Sequence, residues 1–214
     1  MSRAIHGIYG ILPADLPQEQ LLNRAEASLI AGIRTLQLRD KEIELGERLR
    51  RAEALRAMTR LYDARLIIND DAGLAIASDA DGLHVGPEDT DDLNALRTEL
   101  GAHRLLGFSC KGGIDAAIRA LESGADYVSF GAVFPTGTKG DATVCGIEVL
   151  KRARHALPNA NIVAIGGITQ ERLPEVREAG ADAAAVIDGL FGEKDIRTRA
   201  EALIATWNLE SPSA

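Results

Sequence analysis

Cysteine is scarce in this sequence: Cys110 and Cys145 are the only two. That is too few for a disulfide framework, and neither sits in a CxxC or His/Cys cluster of the kind that holds zinc. Reduced thiols are expected. No uninterrupted apolar run approaches the roughly 18 residues of a membrane span, and no low-complexity tract interrupts the chain. The first ten residues, MSRAIHGIYG, have no continuous apolar core and no small-residue cleavage site, so a secretory signal is not expected and the cytoplasm is the expected location. Basic residues are outnumbered too: the formal net charge is −8. Neither a nucleic-acid partner nor a membrane partner is therefore expected. The arginines at 48, 50, 51, 56 and 60 are interleaved with acids and read as a solvated helix face.

What is present suits one domain: 214 residues, 46% of them hydrophobic, enough to bury a large core. Four segments repeat one pattern, a small residue with Gly or Asp followed by a short apolar run: AGIRTLQLR at 31–39, SDADGLHVG at 78–86, SGADYVSFG at 123–131 and AGADAAAVID at 179–188. Each reads as a joint where a helix ends in the left-handed conformation and a buried parallel strand begins. The remaining apolar runs predict strands over 7–12, 35–38, 66–68, 83–85, 105–108, 127–130, 162–165 and 183–187. Amphipathic stretches predict helices over 18–29, 44–61, 113–121, 147–156, 171–179 and 196–207. Strict βα alternation implies right-handed crossovers on a parallel sheet. Eight such units in so short a chain favour closure into a (β/α)8 barrel over residues 1–208, with 209–214 as a tail.

In such a barrel the chemistry lies just after the C-terminal ends of the strands. The polar and glycine residues in those places are Gln37, Arg39 and Lys41; Asn69 and Asp70; Asp89; Ser109 and Lys111; Thr136, Thr138 and Lys139; Gly166 and Gly167; Asp188 and Gly189. Four rim cations, Arg39, Lys41, Lys111 and Lys139, point to an anionic, phosphorylated small molecule despite the acidic chain. Asp70 and Asp89 supply hard oxygens from adjacent strand ends. Magnesium takes one or two carboxylates with substrate phosphate oxygens and water, so diphosphate with Mg²⁺ is the expected pairing. The glycines after the seventh and eighth strands suit a second phosphate.

Several of these residues also have plainer readings. QLRDK at 37–41 could be a strand end with a surface ion pair, and either Asp70 or Asp71 could cap the next helix. FPTGTKGDA at 134–142 suits a substrate lid better than an ordinary turn. His84 reads as a structural histidine within a strand, His6 as lining one end of the barrel, and His103 and His155 as solvent-facing. Cys110 lacks a His partner and is not expected to be a nucleophile.

Taken together, QLRDK at 37–41, LIINDDAGLAIASDADGLHVG at 66–86, GADYVSFGAVFPTGTKGDA at 124–142 and VAIGGI at 163–168 resemble the thiamine-phosphate synthase family in order and spacing over nearly the whole chain. The resemblance implies a transferase that joins hydroxymethylpyrimidine diphosphate to a thiazole phosphate and releases pyrophosphate, with Mg²⁺ as its metal. It implies that Gln37, Arg39, Lys41 and Asn69 hold the aminopyrimidine diphosphate, that Asp70 and Asp89 coordinate the metal, and that Ser109 and Lys139 contact the pyrophosphate. Arg39, Lys139 and Ser109 then carry the catalytic role. Thr136, Thr138, Gly166 and Gly167 cradle the thiazole phosphate, with Ile187, Asp188 and Gly189 completing that site. The chain departs from the family pattern at Pro87, where Gln is usual, and at Asp188, where Ser is usual. A thiazole tautomerase-like enzyme and a non-catalytic precursor-binding paralogue are the competing functional readings, and a homo-oligomer is left open.

Overall fold

A computed structural model describes residues 4–13, 16–40, 43–136 and 143–209. The elements run β1 (Gly7–Leu12), α1 (Gln18–Ile30), β2 (Thr35–Leu38), α2 (Leu45–Leu61), β3 (Arg65–Asn69), α3 (Ala72–Ala77), β4 (Gly82–Val85), α4 (Leu93–Leu100), β5 (Leu105–Ser109), α5 (Ile114–Glu122), β6 (Tyr127–Phe130), α6 (Glu148–Ala156), β7 (Ile162–Ile165), a 3-10 turn (Gln170–Arg172), α7 (Leu173–Glu178), β8 (Ala183–Val186), α8 (Asp188–Phe191) and α9 (Ile196–Asn208). All neighbouring strands pair in parallel, and β8 returns to β1, closing the barrel. Among the described residues no helix is long and apolar enough to cross a membrane.

The helix-to-strand joints work as the repeat implies. Gly32, Asp79, Gly124 and Gly180 each take a positive φ (110°, 50°, 89° and 102°) immediately after a helix. Three copies add a second device, an aspartate two residues further on. Asp81, Asp126 and Asp182 accept the backbone N–H of Leu66, Leu106 and Ile162, at 2.8, 2.8 and 2.7 Å. Each carboxylate thus caps a neighbouring strand and carries an arginine partner, Arg56, Arg97 and Arg154 respectively. These contacts tie the N-terminal face together and leave the opposite rim to the site.

Two apolar layers result. The larger packs helices against the outer faces of the strands, around residues such as Leu36, Leu66, Leu106 and Val128. The smaller fills the barrel interior with Ile5, Tyr9, Ile11, Ile67, Leu105, Tyr127 and Val163. The interior holds two tyrosines because Gly107 makes room: a Cβ there would lie 2.0 Å from Tyr127 Cζ.

Arg51 corrects the expectation of a solvated arginine face on α2. It is 3% exposed and donates from Nη1 to Asp40 Oδ2 at 3.1 Å, while Glu47 takes its other end at 2.7 Å. Arg56 is also largely covered, paired with Asp81 at 2.9 Å. Part of the stripe turns inward, Arg51 to Asp40 just after β2 and Arg56 to Asp81 at the joint before β4. Helices α3 and α4 went unpredicted. Both are short, and their starts are fixed by the Asp71 and Asp92 caps rather than by a long apolar period.

Candidate active site

A cavity of about 930 Å³ opens at the C-terminal rim. Gln37, Arg39, Asn69, Asp70, Asp89, Ser109, Thr136, Gly166, Gly167, Ile187, Asp188 and Gly189 all line it. The rim residues picked out from strand ends are therefore brought to one place. Lys41, Thr138 and Lys139 lie outside the described residues. Lys111 also lines the cavity, but it is exposed and ion-paired with Glu88, so its charge is partly offset.

The two adjacent aspartates divide the work. Asp71 caps α3, its Oδ1 accepting from Leu74 N at 2.8 Å, and pairs with Arg48 at 3.3 Å. Asp70 turns toward the cavity because the chain there adopts φ 64°, with its N–H given to His84 O at 2.8 Å. Such a conformation costs Asp or Asn less than most residues. One strand along, Asp89 folds its loop back by accepting Gly86 N through Oδ2 at 2.7 Å. Two carboxylates from neighbouring strands thus meet one cavity, beside the half-buried Arg39.

Across the opening the wall is backbone. Gly166 (φ 100°) and Gly167 (φ 63°) follow β7, and a Cβ on either would strike Ala132 Cα at 2.5 Å or Pro135 O at 2.4 Å. Only glycine fits both the conformation and the close approach. Arg172, which the sequence reading passed over, packs its guanidinium 4.4 Å from the Phe134 ring centroid and donates to Gly167 O at 2.5 Å. It adds positive charge to this wall. Asp188 begins α8 and is exposed at the mouth, while the Gly189 carbonyl is held by Arg199 at 2.7 Å.

The histidines and cysteines fall as expected, with one addition. His6 borders a small cavity at the opposite face, and His103 and His155 are exposed. Burial raises the Cys110 thiol to about 12, which leaves it protonated and a poor nucleophile. His84 is satisfied at both ring nitrogens, by Tyr127 and Ser129, yet it also lines the cavity floor. Pro87 is exposed and stands aside from the cavity lining.

The pattern of the thiamine monophosphate synthase family matches residues 8–190. The chain belongs to the thiamine-phosphate synthase family. Thiamine-phosphate synthase of Nitrosococcus oceani is 43% identical over 216 residues, covering 99% of each chain. That of Chromobacterium violaceum is 44% identical over 207 residues, covering 97% of this chain and 98% of its own. The solved thiamine phosphate pyrophosphorylase of Pyrococcus furiosus superposes with a TM-score of 0.84 at 32% identity, over 95% of this chain and 96% of that one. For a thiamine-phosphate synthase barrel, the division of this rim into a carboxylate side and a glycine side is the arrangement to explain.

Proposed function

We propose that this enzyme condenses a hydroxymethylpyrimidine diphosphate with a thiazole phosphate to give thiamine phosphate and pyrophosphate. The observation that carries the reading is the two-sided cavity: Arg39, Asp70 and Asp89 arrive from β2, β3 and the loop after β4, and the Gly166–Gly167 wall faces them. Each side suits a separate phosphoryl group. In the reaction the bond between the pyrimidinylmethyl carbon and the diphosphate oxygen breaks, and the diphosphate leaves with the electron pair. The thiazole nitrogen then gives its lone pair to that carbon. No proton need be removed to form the new bond, which agrees with the absence of a rim histidine among the described residues that is placed to act as a base.

The donor set fits magnesium. Two hard carboxylates without a third protein ligand suit an ion that completes its shell with phosphate oxygens and water, and the described residues contain no closed cluster of three or more such ligands. Asp70 and Asp89 would hold it, where it would offset charge on the departing diphosphate. Arg39 acts on the same charge from the cavity wall and the resemblance gives Lys139 the same role, Ser109 donates to the diphosphate, and Gln37 and Asn69 orient the pyrimidine ring. Thr136 lines the cavity with the glycine wall and suits the thiazole phosphate, a role the resemblance extends to Thr138. A biosynthetic role of this kind fits a cytoplasmic enzyme.

Incubating the purified protein with both substrates and Mg²⁺ should yield thiamine phosphate, identified by mass, with one pyrophosphate per turnover. Pyrophosphate release without the coupled product would overturn the reading. Within it, Arg39→Ala should slow the single-turnover rate by about 10², the scale of one preorganised electrostatic donor, and leave the thiazole phosphate KM nearly unchanged. A normal single-turnover rate in that variant rejects the role.

Asp188 gives a prediction of the opposite kind. A carboxylate facing a phosphate at about 4 Å would repel it by about 4 kcal/mol even at an effective dielectric near 20. Its exposed position leaves the side chain room to point away from the ligand, and the backbone N–H groups of Asp188 and Gly189, at the start of α8, would then do the binding. Asp188→Ser should therefore change the acceptor's KM by only a few-fold. A hundredfold gain in acceptor affinity, measured by calorimetric titration, would show that the carboxylate opposes the phosphate.

A further inference from the structure

Beneath the cavity a line of hydrogen bonds crosses the barrel. Gln37 Nε2 donates to Tyr9 Oη at 2.8 Å, Tyr9 Oη lies 3.2 Å from Tyr127 Oη, and Tyr127 Oη lies 3.1 Å from His84 Nδ1. The line ends at Ser129 Oγ, 3.4 Å from His84 Nε2. Its members come from β1, β2, β4 and β6, so only closure of the barrel assembles it. The register places His84, Gly107 and Tyr127 side by side on three adjacent strands. With no side chain at Gly107, the Tyr127 ring lies almost parallel to His84, at 5.5 Å between centroids and 16° between planes.

Burial pushes both phenols well above their ordinary range, so each keeps its single hydrogen. When each hydroxyl spends its hydrogen within the line, it accepts on one side and donates on the other, and the line then has two polarities. In one, the Gln37 amide donates to Tyr9, Tyr9 to Tyr127, and Tyr127 to an unprotonated His84 Nδ1. In the other, His84 Nδ1–H donates, every hydroxyl reverses, and Tyr9 donates to Gln37 Oε1, which turns the amide over. Ser129 adapts to either, because its hydroxyl both donates and accepts. The tautomer of His84 and the orientation of Gln37 are therefore linked across two hydroxyls, although the residues are not in contact.

We infer that Tyr9, Tyr127 and His84 are positioning residues that hold Gln37 with its amide nitrogen turned to the floor. Its carbonyl oxygen then meets the ligand, and the site selects a pyrimidine bearing an amino group over its oxo counterpart. The inference rests on the proposed function for the identity of the ring, and it adds the source of the selection. Gln37 is 3% exposed and lines the cavity, so the ligand meets whichever end of the amide the line leaves to it. A ligand N–H finds an acceptor there; an oxo group in its place would face the carbonyl oxygen with no proton between them.

Tyr127→Phe tests this with the ring and its packing retained. The amino-over-oxo preference, read as the ratio of kcat/KM for the two pyrimidine diphosphates, should fall at least about tenfold, the worth of one net hydrogen bond. The thiazole phosphate KM should stay within about twofold. His84→Leu, which removes the acceptor, should behave like Tyr127→Phe. His84→Asn, whose Oδ1 can replace Nδ1 as acceptor, should restore most of the preference. Calorimetric titration of each variant with the aminopyrimidine diphosphate alone should show the same order. An unchanged preference in Tyr127→Phe overturns the inference, as does a parallel rise in both KM values. A wild-type enzyme that forms no thiamine phosphate overturns the functional reading together with it; an active wild type with an indifferent Tyr127→Phe overturns the inference alone.

Discussion

Replacing Asp70 and Asp89 together by asparagine is expected to lower activity by about 10³ or more and to remove its dependence on magnesium in the same step. Asparagine is the informative substitution. At Asp70 the backbone sits at φ 64°, which Asn tolerates and Ala does not, so an alanine variant would mix backbone strain with loss of the ligand. At Asp89 the carboxylate also closes its loop through Gly86 N, a bond that an amide oxygen keeps. What the double variant loses is two negative charges facing the cavity, and with them, on the proposed reading, the means of holding a hard cation against the diphosphate. Stabilisation of several kcal/mol by such an ion corresponds to the expected rate loss at about 1.4 kcal/mol per decade. Initial rates measured against Mg²⁺ concentration, with thermal melts confirming the fold, decide the matter. Unchanged turnover and an unchanged magnesium curve would refute the assignment.

The barrel was legible because parallel strands buried on both faces leave continuous apolar runs. The predicted bounds of β1, β2, β6 and β7 coincide with the observed ones. The rim was legible for a related reason: a polar residue directly after such a run has only the strand's C-terminal mouth to occupy, and Arg39, Asn69 and Ser109 all follow that rule. The floor of the site was not. Tyr9 and Tyr127 are 118 positions apart and sit in runs that read as uniformly apolar, so their hydroxyl contact depends on closure and on the space beside Gly107. Arg172 was missed because it lies in a 3-10 turn beyond the glycines, and its approach to Gly167 depends on the curl of that turn.

Arg51→Ala is the prediction with the largest expected effect on stability. Asp40 directly follows Arg39 at the end of β2, and its side chain is 1% exposed against 4% for Arg51. Burial lifts the Asp40 carboxyl above its ordinary range, and Arg51 opposes that rise by charge and hydrogen bond. Removing the guanidinium leaves a buried carboxylate without its counter-charge, which costs about 3–5 kcal/mol when one partner of a buried pair is deleted. The sign of the pH response follows. In the variant the folded-state pKa of Asp40 rises further above the unfolded value of about 3.9. The native state then binds more protons than the unfolded state between those two values, so stability is present below the window and lost as pH rises through it. The melting deficit of Arg51→Ala relative to the wild type should therefore shrink as the pH is lowered from neutrality towards the unfolded carboxylate value of about 3.9. A deficit independent of pH would mean that the loss comes from packing of the arginine stem rather than from the stranded carboxylate. Because the pair fastens the end of β2 to α2, Arg39 should also lose its fixed position. Asp40→Asn combined with Arg51→Met, which removes both charges and keeps the bulk, should recover much of the stability and leave the Arg39-dependent single-turnover rate reduced.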